Sequence, residues 1–325
     1  MNKKITAALV AVLLAVPATA QANLKNRTVG STPTLAVIDT AINSSDPIFN
    51  GKVIHEVCIL AVSVNNCANG KNYMEGPGAA LVPSNVLYSN KYLPGLGFDH
   101  GTVITNSAIT SNSNMNIVFI RIVEYKADGT RGITGTDVVI NAINWIINNK
   151  DKFNIKAVNM SQGHSRLLSG PNYCPKVPEL ELSINNLSSQ GLPIFFPTGN
   201  GFNPSKIDFP ACIPSAIAVG ATEVSDRGLP TEKSVVASFS NNDNSLTDFF
   251  DNGFIDMNLN GKQSRLKGTS ISSARSAAGW VMLSSLKPNL KYNEIYDLLV
   301  KTSKSANNSR VKTSRVINIQ GAING

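Results

Sequence analysis

One serine in this chain stands in a setting that suits nucleophilic chemistry. The segment Gly268-Thr269-Ser270 ends a polar stretch and opens a run of small residues, so the serine lies where a loop enters a helix. A serine hydroxyl is a weak nucleophile unless a neighbouring base takes its proton. Three histidines are available as that base: His55, His100 and His164.

His100 and Asp39 are the best partners for this serine. Asp39 directly follows the apolar segment Leu35–Ile38, and in α/β sheets functional groups collect at the carboxyl ends of strands. His100 opens a predicted helix that runs through Ile109. Each residue taken alone is better explained as a turn or helix cap. Together they predict that Ser270 attacks a carbonyl while His100 carries the proton and Asp39 fixes the histidine tautomer.

The elements around these residues alternate between strands and helices. Apolar runs predict strands at 34–38, 116–123, 157–160, 192–196 and 215–219. Helical periodicity predicts helices at 135–150, 179–189, 270–286 and 293–301, the first of them capped by Thr136 or Asp137. This alternation predicts an α/β fold with an open, mostly parallel sheet in one domain. Residues 58–97, rich in Asn, Gly and Pro, are predicted to form a long surface insertion.

The first 22 residues have the features of a secretory signal peptide. Lys3 and Lys4 form a basic start, residues 7–16 form an apolar run, and small residues at Ala20 and Ala22 offer cleavage sites. The apolar run is too short to span a bilayer, and no later stretch is apolar enough to do so. We therefore predict a secreted or periplasmic protein without a membrane span. A buried N-terminal helix is the alternative.

Composition and charge restrict the class of protein. The chain has 325 residues, of which 42% are hydrophobic and 15% charged, which is typical of a globular protein. The formal charge of +8 becomes 8 − 2 = +6 once the two signal lysines are removed. Basic residues form no long run and are not interleaved with aromatics, so nucleic-acid binding is disfavoured.

The four cysteines predict disulfides, because an even count in an exported chain favours pairing. Three pairings are possible. We favour the two between nearest neighbours, which the loop-entropy model values at about 3 and about 4 kcal/mol. These pairs are Cys58–Cys67 and Cys174–Cys212. A metal site is disfavoured because no clustered Cys/His spacing is present.

Five motifs together resemble the subtilisin-like serine peptidases, the subtilase family. They are Val37–Thr40 around the aspartate, Asp99–Thr102 around the histidine, Val158–Gly163, Thr198–Asn200 and Gly268–Ser270. They occur in the family's order, and the resemblance covers the chain from about Pro33 to its end. It implies a single-domain, three-layer sandwich over 33–325, with a mostly parallel central sheet flanked by helices.

The resemblance also implies roles for individual residues. The catalytic triad would be Asp39, His100 and Ser270, with an oxyanion hole made by the Asn200 side chain and the Ser270 N–H. An exposed strand edge at Ser161, Gln162 and Gly163 would bind an extended peptide substrate. The pocket for the residue before the cut would lie between that edge and the turn containing Thr198 and Gly199.

The chain departs from the family pattern at three places. Ala41 stands where glycine is usual, Val103–Asn106 replaces a second histidine and small residues, and Ala274 stands where proline is usual, followed by Arg275. None of these changes removes a reacting group. Asn106 would need a hydrogen-bonding partner if its helix buried it.

The resemblance does not assign a cofactor or an accessory segment to this chain. Calcium often stabilises family members, but the spacing of acids assigns no site here, and Asp46, Asp208 and Asp226 are candidates only as loop acids. We predict no metal site and no cofactor. The short stretch between the signal and the first strand predicts no inhibitory prodomain.

The sequence favours a serine endopeptidase that acts as a monomer on peptide or protein substrates. One alternative is a catalytically weak or inactive protein on the same scaffold that binds peptides or a protein partner. An esterase on another fold is disfavoured, because Ser270 lies in no Gly-x-Ser-x-Gly elbow and the triad order differs from that of those enzymes.

Overall fold

Strand β1 (Thr34–Asp39) lies inside the central sheet, and its alternating side chains connect two hydrophobic cores. Leu35 and Val37 belong to one core cluster, whereas Ala36 and Ile38 belong to the other. Successive side chains of a strand point to opposite faces, so both faces of β1 must be covered. All six residues of β1 are buried, which explains why its sequence is a nearly continuous apolar run.

This arrangement comes from a computed structural model, in which the described residues are 32–82, 100–126, 131–164, 172–225, 233–259, 262–307, 311 and 314–325. Residues Thr32–Gly325 form one compact unit. The predicted signal peptide, residues 1–22, lies outside the described part of the chain. So does the second part of the predicted insertion, residues 83–97.

The main sheet has eleven strands in the order β14-β15-β11-β9-β8-β7-β1-β4-β2-β3, with β10 paired to β9. The strands after β1 are β2 (Val53–Ile59), β3 (Tyr73–Glu75), β4 (Asn116–Arg121), β7 (Ile155–Met160), β8 (Ile194–Pro197), β9 (Ile217–Ser225), β10 (Lys233–Val236), β11 (Phe249–Asn252), β14 (Lys304–Ser305) and β15 (Arg315–Val316). Two separate hairpins pair β5 (Glu124–Tyr125) with β6 (Arg131–Gly132) and β12 (Phe254–Leu259) with β13 (Lys262–Lys267). The neighbouring strands β2, β4, β1, β7, β8, β9, β11 and β15 pair in parallel. The other three strands pair antiparallel, β3 with β2, β10 with β9 and β14 with β15.

Helices cover both faces of this sheet. They are α1 (His100–Ser111), α2 (Thr136–Asn149), α3 (Pro178–Ser189), α4 (Thr269–Leu286), α5 (Tyr292–Thr302) and α6 (Ile319–Asn324). Apolar residues of α2 and α3 pack on the Ile38 face, and those of α1 and α4 pack on the Leu35 face. The predicted α/β sandwich with a mostly parallel sheet is confirmed. No helix of the described ranges is both long and apolar enough to cross a membrane.

One local prediction was wrong, and one predicted segment has more structure than its sequence indicates. Neither Thr136 nor Asp137 caps α2, because the N-cap position is Gly135 and no side chain donates or accepts a capping bond there. The first part of the predicted insertion is not a plain surface loop either. It contributes strand β3 to the sheet edge, and Cys67 and Ala79 pack with Cys58 and Leu60 in a small core.

Candidate active site

Asp39 and His100 meet at the carboxyl end of the parallel strands. Asp39 is the last residue of β1, and His100 is the first residue of α1. The distance from His100 Nδ1 to Asp39 Oδ1 is 2.7 Å, with the aspartate side chain fully buried and 26% of the histidine side chain exposed. The buried carboxylate therefore orients the ring and favours a proton on Nδ1, which leaves Nε2 to act as a base.

Two further N–H groups hold the Asp39 carboxylate in place. Its Oδ1 accepts the backbone N–H of Thr40 at 2.7 Å and the side-chain N–H of Gln162 at 2.8 Å. The Thr40 hydroxyl in turn accepts the N–H of Gly101 at 2.9 Å, which ties β1 to the start of α1. A β-carbon at Gly101 would lie 2.6 Å from the Ala41 carbonyl oxygen, so only glycine permits this close approach.

The other two histidines have different surroundings. His55 lies in β2, stacks on Trp145 and Phe153, and pairs with Glu75 at 3.3 Å. His164 packs its ring against Phe209, with 5.3 Å between the ring centroids. His100 is therefore the histidine that the fold brings to Asp39.

Ser270 is the partly exposed hydroxyl residue in the first turns of α4. Thr269, Ser272 and Ser273 are buried, and their hydroxyls hydrogen-bond within the protein. Ser270 lies between these residues and remains partly accessible to solvent. The first N–H groups of a helix have no partner within it, so the Ser270 N–H is available at this helix start.

A chain of hydrogen bonds connects Ser270 to the segment that follows β7. Ser161 Oγ donates to the Ser270 carbonyl at 3.1 Å and accepts from Asn159 Nδ2 at 2.9 Å. Asn159 Oδ1 accepts from Ser273 Oγ at 2.7 Å. The neighbouring Gln162 has its Nε2 3.2 Å from His100 Nδ1. Adjacent residues of one segment therefore contact both Ser270 and His100, which brings the two predicted reactive residues to the same end of the sheet.

Asn200 has its amide group oriented by the start of α4. Its Oδ1 accepts the Thr269 N–H at 2.9 Å and the Thr269 hydroxyl at 3.1 Å, so its Nδ2 points away from these donors. Asn200 itself is exposed. The preceding Gly199 has φ +104°, a conformation that L side chains rarely adopt, and its N–H donates to Thr269 Oγ1 at 3.1 Å. The turn therefore presents an N–H₂ group next to the N-terminus of the helix that carries Ser270.

The segment predicted to bind substrate follows β7, and its three residues differ in exposure. Strand β7 ends at Met160, Ser161 is buried, and only Gly163 of the three predicted residues is exposed. The side chain of Gln162 contacts Asp39 and His100. Sequence reasoning assigned Gln162 to the substrate and missed this contact, because no local pattern signals a contact with a residue 123 positions away.

The four cysteines form two disulfides in the structure, Cys58–Cys67 and Cys174–Cys212. These are the nearest-neighbour pairs that the sequence favours. The second disulfide joins the segment before α3 to the segment that follows Asp208. It therefore braces the chain beside the turn that carries Asn200.

Two of the three loop acids named as calcium candidates, Asp46 and Asp208, lie in the described ranges and have other contacts. Asp46 accepts the Ile48 N–H at 3.0 Å and caps a short helical turn. Asp208 lies against Gly199, and Asp226 is outside the described residues. Across the ranges that the structure describes, no group of three His, Cys, Asp or Glu side chains is arranged to hold a metal ion.

The fold accommodates the residues that depart from the family pattern. Val103 is buried in the core with Leu35, and Ala274 packs in the same cluster. Asn106 remains partly exposed and avoids the desolvation that full burial would cost. Arg275 Nε lies 3.6 Å from a carboxylate oxygen of the partly buried Asp251.

Sequence comparisons show which known proteins the chain is similar to. The model of the subtilase family matches residues 30–322. Subtilisin amylosacchariticus of Bacillus subtilis subsp. amylosacchariticus is 26% identical over 301 residues, covering 90% of this chain but 66% of that relative, just under two thirds. A subtilisin of Bacillus pumilus is 25% identical, with 90% of this chain and 91% of the relative covered.

Solved structures show the same fold. A protease of Pseudoalteromonas arctica PAMC 21717 superposes with a TM-score of 0.66 at 18% identity, covering 91% of this chain and 90% of that one. The prenylagaramide maturation protease PagA superposes with a TM-score of 0.61 at 18% identity, covering 95% and 98%.

Proposed function

The chain belongs to the subtilase family, and we propose that it is a serine endopeptidase that hydrolyses peptide bonds through an acyl-enzyme. Ser270 attacks the carbonyl, His100 accepts its proton and then donates it to the leaving amine, and Asp39 stabilises the histidine cation. Water releases the acyl group in the second step.

The observation that carries this proposal is the contact between Asp39 and His100. A 2.7 Å bond from a buried carboxylate to Nδ1 is the arrangement that a general base needs if its Nε2 is to face a nucleophile. The segment of Ser161 and Gln162, which contacts both Ser270 and His100, supports a shared site.

The orientation of Asn200 supports an oxyanion hole. Attack on a carbonyl creates a negatively charged oxygen, and one preorganised donor at such an oxygen contributes about 3–4 kcal/mol to the barrier. Because Asn200 Oδ1 is engaged by Thr269, the Nδ2 donor is held in one direction before substrate binds. We expect Asn200→Leu to lower kcat by about 100-fold or more with little change in KM. An equal loss in both parameters would contradict an oxyanion role.

A fluorophosphonate probe tests the activated nucleophile directly. We expect the probe to label the wild-type chain at Ser270, and we expect Ser270→Ala and His100→Ala to abolish labelling. Ser272→Ala is the matched control, since Ser272 lies in the same helix but donates to the Thr269 carbonyl at 2.8 Å. Labelling that persists in Ser270→Ala would refute the assignment of the nucleophile.

The alternative function is a peptide-binding protein on this scaffold with weak or no catalysis. That protein would bind extended peptides without probe labelling and without turnover. Triad substitutions separate the two functions, because Ser270→Ala, His100→Ala and Asp39→Asn should each abolish most turnover and their losses should not add. In a binding protein these variants would leave peptide affinity unchanged and no activity would be lost.

We further propose that the protein acts outside the cytoplasm, as a monomer on peptide or protein substrates and without a cofactor. Two disulfides support an oxidising compartment. N-terminal sequencing of the exported chain is expected to show cleavage after Ala20 or Ala22. A chain recovered intact from Met1 would contradict the signal peptide.

A further inference from the structure

A half-buried carboxylate at the end of the proposed substrate pocket has no role in the triad. On the proposed function, the pocket for the substrate residue whose carbonyl is attacked would lie between Gly163 and the turn that contains Thr198 and Gly199. Asp208 belongs to the segment that crosses between these two walls. Its backbone N–H donates to the Thr198 carbonyl at 2.9 Å.

The same segment pairs with the opposite wall. Phe209 and His164 exchange two backbone hydrogen bonds, of 2.9 and 3.2 Å. A β-carbon at Gly163 would lie 2.7 Å from the Phe209 carbonyl oxygen, so the wall approaches the segment closely. The backbone of residues 208–209 is thus bonded to both walls, which sets residue 208 at the end of the space between them.

The Asp208 carboxylate is held against Gly199 by one neighbour. Its Oδ1 accepts from Asn241 Nδ2 at 3.0 Å, and Asn241 Oδ1 accepts the N–H groups of Gly201 and Asn203 at 2.9 Å each. A β-carbon at Gly199 would lie 2.2 Å from Asp208 Oδ2. The loop that carries Asn200 and the carboxylate are therefore one packed unit, and glycine at 199 makes room for the acid.

The neighbours of Asp208 balance the negative charge of its carboxylate only in part. Burial raises the pKa of Asp208, while the charge of His164 and the hydrogen bond from Asn241 lower it. Among the described residues, Asp208 forms no ion pair with a lysine or arginine. The ammonium of the nearby Lys206 lies over the Tyr173 ring, 5.4 Å from its centroid.

We propose that Asp208 makes the enzyme select lysine or arginine as the substrate residue whose carbonyl is attacked, an inference that rests on the peptidase function proposed above. A cationic side chain that fills the pocket pairs with the carboxylate and offsets the loss of its hydration. An apolar side chain of similar size removes that water without supplying a charge, which leaves the carboxylate buried and unpaired. The specificity is therefore built from the penalty on neutral side chains as well as from the attraction of cations.

The test uses four peptide substrates that differ at one position and form two isosteric pairs. Arginine is compared with citrulline, and lysine with norleucine, so that charge changes while length and shape stay similar. We expect kcat/KM of the wild-type enzyme to be about 100-fold higher for each cation than for its neutral partner. Asparagine removes both the attraction for cations and the buried charge that penalises neutral side chains. We therefore expect Asp208→Asn to slow cleavage of the cationic peptides, to speed cleavage of the neutral ones, and to lower each cation-to-neutral ratio about 100-fold.

Two variants serve as controls. Asp46→Asn makes the same change in net charge at a helical cap away from the pocket, and it should leave all four ratios unchanged. Asp208→Glu keeps the charge and should keep the preference for cations. Fluorophosphonate titration of each preparation counts the active sites, so that a poorly folded variant does not imitate a loss of specificity.

The outcomes distinguish the two proposals. A wild-type enzyme that is labelled by the probe but cleaves citrulline and norleucine peptides as well as their cationic partners overturns the role of Asp208 and leaves the peptidase function standing. An Asp208→Asn variant with the wild-type ratios does the same. A chain that is neither labelled nor able to cleave any of the four peptides overturns both.

Discussion

Replacing Ser273 with alanine perturbs the connection between α4 and the segment after β7. Ser273 Oγ donates to Asn159 Oδ1 at 2.7 Å, and both side chains are fully buried. Asn159 Nδ2 continues the chain to Ser161, which holds the Ser270 carbonyl. The substitution removes the donor and leaves a buried amide oxygen without its partner.

The expected loss of stability follows from these contacts. A buried acceptor left without a donor costs about 1–3 kcal/mol, and alanine returns about 0.5 kcal/mol because it favours the helix more than serine does. The free energy of unfolding should therefore fall by about 0.5–2.5 kcal/mol. Ser272→Ala is the matched control, since Ser272 is equally buried and donates only to the Thr269 carbonyl, which also accepts an N–H within the helix. Its unfolding free energy should change by less than about 0.5 kcal/mol.

The comparison is made by urea unfolding of both variants in a Ser270→Ala background, which prevents self-digestion during the titration. Equal midpoints and equal slopes for Ser273→Ala and Ser272→Ala would refute the reasoning. The result would mean that Asn159 finds another donor or that water reaches its oxygen. A selective loss in Ser273→Ala would show that the segment holding Ser270 depends on a contact between distant parts of the chain.

Three further predictions concern stability. Burial raises the pKa of Asp248 in the folded protein. Its protonated carboxyl therefore stabilises the fold at pH values below its ordinary pKa of about 3.9, and that contribution is lost as the pH rises through the pKa of the folded state. The free energy of unfolding of Asp248→Asn, compared with that of the wild type, should thus increase as the pH rises from about 3 to about 7. A difference between the two proteins that does not change with pH would contradict this sign. Tyr125→Phe should cost about 1–3 kcal/mol by urea unfolding, because the Tyr125 hydroxyl accepts the Ala41 N–H at 3.0 Å in a buried setting, and an unchanged midpoint would argue against it. Cys174→Ser should destabilise more than Cys67→Ser, about 4 against about 3 kcal/mol, because its disulfide closes the longer loop. The reverse order in thermal melts would mean that native contacts, and not loop length, set the difference.

The parts of the fold that are predictable from sequence are those whose environment is uniform along the chain. Strands β1 and β4 are covered on both faces, so their residues read as continuous apolar runs. Helix ends are less predictable, because a cap depends on the conformation of one residue. Gly135 adopts extended backbone before α2, and it displaces Thr136 from the capping position.

The outer strands carry a weaker signal. In the β12–β13 hairpin, Ile255 and Met257 are buried while Asp256 and Asn258 are exposed, an alternation typical of a half-covered strand. The sequence also has an Asn-Gly pair at positions 260–261, a common hairpin signal. These two observations together would predict the hairpin. The short strands β14 and β15 have two residues each and no comparable pattern.

The chemistry of the candidate site is more predictable than its contacts. Residue types and motif order indicate Asp39, His100, Ser270 and Asn200, because each is needed for a step of acyl transfer. The direction of a polar side chain depends on neighbours far along the chain, and no local pattern records it. Asp208 is an ordinary loop acid in the sequence, yet pairing of its segment with Thr198 and His164 sets it at the end of the proposed pocket.

The segment after β7 explains how one short stretch of backbone can contact both Ser270 and His100, the proposed nucleophile and base. In extended chain, neighbouring side chains point to opposite sides. Ser161 accordingly reaches the Ser270 carbonyl on α4, while Gln162 reaches Asp39 and His100 on the other side. One residue step along this segment thus separates the contact with Ser270 from the contacts with Asp39 and His100. Because β7 is held in parallel register between β1 and β8, that step is set by the sheet itself. A shift of one residue in this register would exchange the two side chains and separate the proposed nucleophile from the proposed base.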